Sequence, residues 1–153
     1  MTTFSSSVWD KLTDPVATPA ARHHSAPLTL AQYQRVIARD LESLLNTRIA
    51  RPADELASFP ACRDSIVNFG LIDFAQLCLG TSDDRKAICD GLTAAIARHE
   101  PRLRHVQARL VDEAGAINRL SFAISAQLRA TGDEGRVRFD VMLEPSSLHY
   151  SIR

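Results

Sequence analysis

The chain has 153 residues, of which 45% are hydrophobic, and its 18 basic residues balance 18 acidic ones. This length and composition fit one soluble domain with its own core, and the zero net charge argues against a general affinity for nucleic-acid phosphates or anionic lipid. No stretch approaches the roughly 20 apolar residues that a membrane span requires, and the three cysteines form no C-x-x-C pair, which suits a reducing compartment. We therefore expect a cytoplasmic protein.

Residues 1–27 are predicted to form an amphipathic leader followed by a linker. Phe4, Val8 and Leu12 recur at helical spacing, whereas residues 13–27 are rich in Pro, Ala and Ser and offer little that could form a core. The leader is expected to dock as a separate piece, on its own domain or on a partner. Residues 28–153 are expected to form a single α+β domain.

A first helix is predicted to begin after Thr29, whose hydroxyl and the side chain of Gln32 fit a capping box, and to end near Asn46. Its apolar residues fall on one face. This stripe consists of Tyr33, Val36, Ile37, Leu41, Leu44 and Leu45. Residues 47–65 are predicted to be irregular. The following segment, "SIVNFGLIDFAQL" at 65–77, is expected to cross the core in an extended or turn-rich conformation around Gly70.

A second helix is predicted to be capped by Ser82 and to continue to His99. Asp83 and Asp84 fall in its first turn, where negative charge interacts favourably with the exposed amide groups. Pro101 should end the helix, because a proline disfavours helical geometry at the residue before it.

The period changes from 3.6 to 2 after the proline, which predicts an antiparallel meander of three to four strands. Turns are expected at 112–116 and 131–135. The residues expected to alternate on one face are Val106, Ala108, Leu110, Leu120, Phe122, Ile124, Ala126, Leu128, Val137, Phe139, Val141 and Leu143, and a last short strand is predicted to hold Leu148, Tyr150 and Ile152. Two helices before a meander indicate the α+β class.

The sequence offers little for catalysis, cofactor binding or metal binding. It lacks G-x-S-x-G, a Gly-rich phosphate loop and H-E-x-x-H, and His99 and His105 straddle a change of period, so they cannot share a helix face. Glu100 with Glu113 or Glu144 could in principle form a glycosidase pair. The nine aromatic residues, most of them on predicted core faces, leave few to line a sugar groove, so we predict no catalytic residue.

The tripeptide Glu100, Pro101 and Arg102 at the helix-to-strand junction is the strongest candidate site. Pro101 frees Glu100 from helical geometry, and Arg102 is expected to place its guanidinium near the last carbonyl groups of the helix. Two interpretations remain open at this point. The three residues either brace the helix against the sheet or contact charged groups on another subunit.

The fragments "LESLLNTR" (41–48), "SIVNFGLIDF" (65–74), "HEPRL" (99–103) and "FDVMLEP" (139–145) resemble the baseplate wedge proteins of contractile phage tails. In particular, they resemble the bacterial counterpart of those proteins in the type VI secretion system, the TssE family. The resemblance is weak over residues 4–12 and good over 30–152. Ile72 departs from the family pattern, since many relatives have proline there, and residues 13–27 look longer than is usual.

This resemblance implies a structural protein without catalytic activity or a cofactor. It implies a place in the cytoplasmic baseplate at the inner face of the cytoplasmic membrane, without membrane insertion or nucleic-acid binding. The implied partners are the wedge subunits TssF, TssG and TssK and the sheath subunits TssB and TssC, whose first ring would polymerise on this chain. It also implies that Glu100, Pro101 and Arg102 mediate baseplate contact.

Two alternatives stay open from the sequence. Annotations of the family have carried the word lysozyme, so a peptidoglycan-cleaving enzyme is the first. An adaptor or chaperone unrelated to secretion is the second, because a leader and an open sheet edge would serve it equally well. We hypothesise that sheath strands pair with the backbone of an edge strand, although the sequence does not indicate which strand lies at the open edge.

Overall fold

A computed structural model describes residues 4, 28–51, 55–74, 81–111, 120–130, 135–144 and 146–153. Most of the predicted leader and linker, the 112–116 turn with Glu113, and residues 131–134 lie outside this set. Within it, two long α-helices and a four-stranded antiparallel sheet confirm the predicted α+β class.

Helix α1 spans Leu30–Asn46 and begins as predicted. The Gln32 amide donates to Thr29 Oγ1 at 3.3 Å, and Gln32 Oε1 accepts the Thr29 amide proton at 2.8 Å, which completes the capping box. The predicted stripe faces the core. Its buried members are Tyr33, Ile37, Leu41, Leu44 and Leu45.

The connection after α1 contains a short helix α2, Pro60–Arg63, and a 3₁₀ turn, Ile66–Asn68. The expected turn-rich conformation is therefore confirmed, and the expected passage through the core is confirmed only in part. Leu71 is buried in the core, and Phe69 and Phe74 pack against it. Ile66 and Ile72, in contrast, are 86% and 53% exposed.

Gly70 is required at its position by the close approach of the chain following α1. It adopts φ +121°, and a Cβ atom there would lie 2.5 Å from the Thr47 carbonyl oxygen. The neighbouring Leu71 amide donates to that same oxygen at 2.8 Å, so the "LLNTR" and "NFGL" fragments are joined by a short parallel bridge between Arg48 and Leu71.

Helix α3 spans Ser82–His99. The predicted cap, Ser82, is wrong by one residue. Thr81 has extended geometry, with φ −95° and ψ 145°, and its hydroxyl accepts the Asp84 amide proton at 3.2 Å, whereas Ser82 is already helical. The helix ends at His99 as expected, and Glu100 before the proline has left helical geometry, with φ −117° and ψ 79°.

The sheet has the order β1-β2-β3-β4, formed by Leu103–Val111, Leu120–Leu128, Arg136–Glu144 and His149–Ile152. A bulge interrupts β1 at His105, where φ is +52° and the register with β2 shifts between Arg104 and Gln107. The bulge places Leu103 and Val106 on the same, buried face. The predicted alternation is otherwise confirmed in β2 and β3.

The core lies between one face of the sheet, called here the inner face, and the apolar sides of α1 and α3. Its fully buried large side chains are Ile37, Leu41, Leu44, Leu45, Leu71, Ile88, Leu92, Ile96, Phe122, Ile124, Leu128 and Tyr150. Within the described ranges, no helix combines the length and the apolarity needed to cross a membrane.

Candidate partner-binding corner

The Glu-Pro-Arg tripeptide forms the corner between α3 and β1. Glu100 is 4% exposed, Pro101 is exposed, and Arg102 is half-buried. The backbone closes a turn here, since the Leu103 amide donates to the Glu100 carbonyl at 3.1 Å. The turn brings the side chains of Glu100 and Arg102, two positions apart, to the same side.

Glu100 and Arg102 form a bidentate ion pair. The Nε of Arg102 donates to Glu100 Oε1 at 2.6 Å, Nη2 donates to Oε2, and the Arg102 amide also donates to Oε1 at 3.2 Å. Both carboxylate oxygens are therefore occupied. The guanidinium bonds carboxylates rather than the helix carbonyls expected from the sequence, because the turn presents the Glu100 side chain to it directly.

Asp40 of α1 completes the corner. Its Oδ2 accepts from Arg102 Nη2 at 2.7 Å, and its Oδ1 accepts from Arg39 at 2.9 Å. Asp40 was not predicted as a site residue, because it lies beside the apolar stripe of α1. Its position seven residues after Tyr33 places it on the same helix face, but this spacing does not link it to Arg102.

The electrostatics of the corner favour a charged Arg102. Burial alone would lower the pKa of the guanidinium, but hydrogen bonds and charge from Glu100, followed by those from Asp40, outweigh it and raise the pKa of Arg102. Tyr33 lies below, with its ring centroid 6.0 Å from the guanidinium carbon. Burial raises the pKa of the Tyr33 hydroxyl, while Arg102 opposes this shift.

One residue of the predicted leader is described, and it lies next to the corner. The Phe4 ring stacks on Tyr33 with centroids 4.6 Å apart, and the Leu28 amide donates to the Phe4 carbonyl at 3.0 Å. At this position the leader contacts its own domain. The proposed division at residue 27 stays a prediction.

The other candidate residues occupy structural contacts. His99 Nε2 lies 2.8 Å from the Asn68 carbonyl oxygen, which ties the "HEPRL" and "VNFG" fragments together. Glu144 is exposed and accepts from Ser147 at 2.9 Å. Among the described residues, no group of three His, Cys, Asp or Glu side chains could hold a metal ion.

The outer edge of β4 is partly occupied by side chains from the end of α1. The Tyr150 amide donates to Asn46 Oδ1 at 2.9 Å, and Asn46 Nδ2 donates to the Tyr150 carbonyl at 2.8 Å, so the Asn46 amide takes the place of a neighbouring strand. Arg48 donates to the Leu148 carbonyl at 3.0 Å. The register turns the backbone N–H and C=O of Ile152 outward from β3, and no hydrogen bond joins them to another described residue.

The outer edge of β1 is occupied differently, by helix α3. The Ala108 amide donates to Thr93 Oγ1 at 3.1 Å. Because α3 also packs its apolar face into the core, a strand that paired with β1 at Ala108 would have to displace this helix.

Two helices on one face of a four-stranded antiparallel meander place this chain in the α+β class. The family model of baseplate wedge protein gp25 matches residues 31–133. This match covers more than half of the 153 residues, and the chain belongs to that family, whose members are structural components of baseplates.

A solved structure supports the same fold. The chain is similar to a component of "The baseplate complex from the type VI secretion system", with 14% sequence identity and a TM-score of 0.50. The likeness covers 79% of this chain and 95% of that chain. At this identity it shows the fold alone. No curated protein sequence matches the chain.

Proposed function

We propose that this chain is a TssE-type subunit of a type VI secretion baseplate. In this role it binds the wedge subunits TssF, TssG and TssK through its corner and starts the polymerisation of the TssB and TssC sheath at a strand edge. The assembly lies in the cytoplasm, against the inner face of the cytoplasmic membrane. Family membership and the fold likeness support this role.

The corner geometry is the observation that carries the proposal. Glu100 is buried and holds Arg102 by both oxygens, while Asp40 holds the guanidinium from the other side. The result is a rigid, partly exposed arginine beside the exposed Pro101. A preorganised guanidinium and a rigid ring lose little conformational entropy on binding, which suits a repeated protein contact.

The same geometry disfavours the glycosidase alternative. A catalytic carboxyl group needs access to the sugar and a free oxygen to transfer a proton. Glu100 is 4% exposed and both of its oxygens accept hydrogen bonds from Arg102. Peptidoglycan turnover by the purified chain that disappears in Glu100→Gln would nevertheless overturn the proposal.

We assign the sheath contact to the edge of β4. At Ala108 the β1 edge is bonded by a core helix, whereas among the described residues the β4 edge is capped by the side chains of Asn46 and Arg48. An incoming strand can displace a side-chain amide more easily than a helix, and Ile152 already presents unpaired backbone groups to it.

Two variants separate the wedge contact from the sheath contact. Arg102→Ala should lose copurification with TssF and TssG. Ile152→Pro should retain it but lose sheath assembly, since it removes an outward N–H without removing a β3 to β4 hydrogen bond. Copurification and sheath formation in cells are the measurements.

Matched controls are available for both variants. Arg51→Ala removes an arginine from the exposed Arg51–Glu55 pair, and Ile152→Val keeps the backbone donor. Each variant is first checked for a cooperative thermal transition, because removing Arg102 leaves the buried Glu100 unpaired, at a cost of roughly 3–5 kcal/mol. A folded Arg102→Ala variant that copurifies at the wild-type level contradicts the wedge contact.

A further inference from the structure

The solvent-facing side of the sheet, called here the outer face, carries more positive than negative side chains, although the whole chain has no net charge. The register places alternate residues of each strand on this face. Its described arginines are Arg104, Arg109, Arg136, Arg138 and Arg153, and its described carboxylates are Asp140 and Glu144. Five positive and two negative side chains leave an excess of three positive charges.

The middle of the outer face is a trough along β2. Ser121 and Ala123 are each 9% exposed although they face solvent, because longer side chains on β1 and β3 overhang them. β1 and β3 lie about 10 Å apart across the trough, which is the width of one polypeptide segment.

Two recesses open into this trough. One of about 300 Å³ is lined by Ser121, Met142, Arg138 and Arg153. The other, of about 520 Å³, is lined by Ser125, Gln127, Arg136 and Arg138. Arg138 lines both recesses and pairs at 2.8 Å with Asp140, which lines the smaller one.

Ser121 offers a hydrogen-bonding group at the floor of the trough. Its hydroxyl is buried in the wall of the smaller recess and has no hydrogen-bond partner among the described residues. A buried hydroxyl is stabilised by a hydrogen bond to water or to a group on a bound chain, so Ser121 is available to a segment that enters the trough.

We propose that the outer face is a second docking surface, which binds an acidic polypeptide segment of a partner protein. Arginine forks match carboxylates in bidentate geometry, and the small floor of β2 accommodates the backbone of the segment. The excess of three positive charges is confined to this face, so it favours a short acidic segment over a long polyanion such as nucleic acid, for which the neutral chain offers no extended attraction. This surface is separate from the Glu100, Pro101 and Arg102 corner.

The test uses the full chain and a fluorescently labelled Glu-Ala repeat peptide of nine residues, the length of β3. Fluorescence anisotropy should show saturable binding that weakens with added salt, and a Gln-Ala repeat peptide should not bind. Arg136→Gln combined with Arg153→Gln should lower the affinity on the order of tenfold, because each of these arginines lines one of the two recesses. Ser121→Ala should lower it about two- to tenfold by removing one hydrogen bond.

Arg35→Gln combined with Arg63→Gln is the matched control, because both arginines are exposed and lie outside the sheet. The Arg102→Ala variant should bind the peptide normally. Failure of the outer-face proposal is therefore distinguishable from failure of the proposed wedge contact. The proposal is overturned if no saturation occurs up to about 1 mM peptide. An equal loss of peptide affinity in the control variant also overturns the proposal. So does tighter binding of a single-stranded DNA oligonucleotide or of anionic vesicles than of the peptide.

Discussion

Helix α1 is anchored to the rest of the domain at two polar points of different kinds. In its last two turns Asp40 bonds Arg102 through charge, and at its end Asn46 bonds the Tyr150 backbone through neutral hydrogen bonds. Each anchor includes an arginine over a tyrosine ring, Arg102 at 6.0 Å from Tyr33 and Arg48 at 5.8 Å from Tyr150.

The two anchors differ in what they leave available. The Asn46 anchor satisfies backbone groups of a buried residue, so its loss falls on the stability of this chain. The Asp40 anchor orients a partly exposed guanidinium, so its loss falls mainly on what the guanidinium can bind. Both anchors lie beside a core helix, and they differ in the exposure and charge of the group that they hold.

Of the two changes within α1, breaking the neutral anchor has the larger expected effect. Asn46→Ala leaves the Tyr150 amide and carbonyl without partners, and the free energy of unfolding should fall by roughly 2–4 kcal/mol. Chemical denaturation measures this change. Ser43→Ala, an exposed polar-to-apolar change on the same helix, should alter it by less than about 0.5 kcal/mol. A loss below about 1 kcal/mol in Asn46→Ala would show that the amide does not clamp β4.

A smaller effect is expected from breaking the charged anchor. Asp40→Asn removes one carboxylate from Arg102 but leaves the Glu100 pair intact, so the free energy of unfolding should fall by about 1 kcal/mol or less. The loss should shrink as salt is added, since the Asp40 side chain is 27% exposed. Denaturation at low and high salt measures it, and a loss as large as that of Asn46→Ala would remove the distinction between the anchors.

The smallest effect concerns the two tyrosines at alkaline pH. Burial raises the pKa of Tyr150 and of Tyr33 above the usual value near 10, so the folded chain holds both protons more tightly than the unfolded chain. Their contribution to stability is present below pH 10 and is lost as the pH rises through the folded pKa values. Thermal melts at increasing pH measure this loss.

Tyr150→Phe should flatten that alkaline decline more than Tyr33→Phe, because Tyr150 is 1% exposed and Tyr33 is 8% exposed. If stability declines with pH at the same slope in the two variants, the two anchors shield their tyrosines from water to the same degree. An unchanged slope in Tyr150→Phe would exclude it as the source of the decline.

Much of the fold was predictable because its signals are local. Three features depend on residues a few positions apart and can therefore be recognised in the sequence. They are the Thr29 capping box, the α1 stripe and the alternation in β2 and β3. The cap of α3 was misplaced by one residue, since Thr81 and Ser82 are both good caps and only the backbone geometry distinguishes them. The β1 bulge leaves no clear local signal.

The candidate site was predictable only in part. The sequence indicated Glu100, Pro101 and Arg102 because a proline between two opposite charges at a change of period is unusual. It did not indicate Asp40, which lies 62 positions before Arg102 and reaches it only when α1 packs beside the corner.

The sequence alone determined the α+β class, the end of α3 at the proline and the candidate tripeptide, since each depends on short-range sterics and periodicity. Only the tertiary structure decided how Arg102 is held, which sheet edge is covered by a helix, and where the arginines gather on a chain with no net charge. Those features depend on contacts between residues that are far apart in sequence, whereas the composition of a chain does not indicate where each residue lies in the fold.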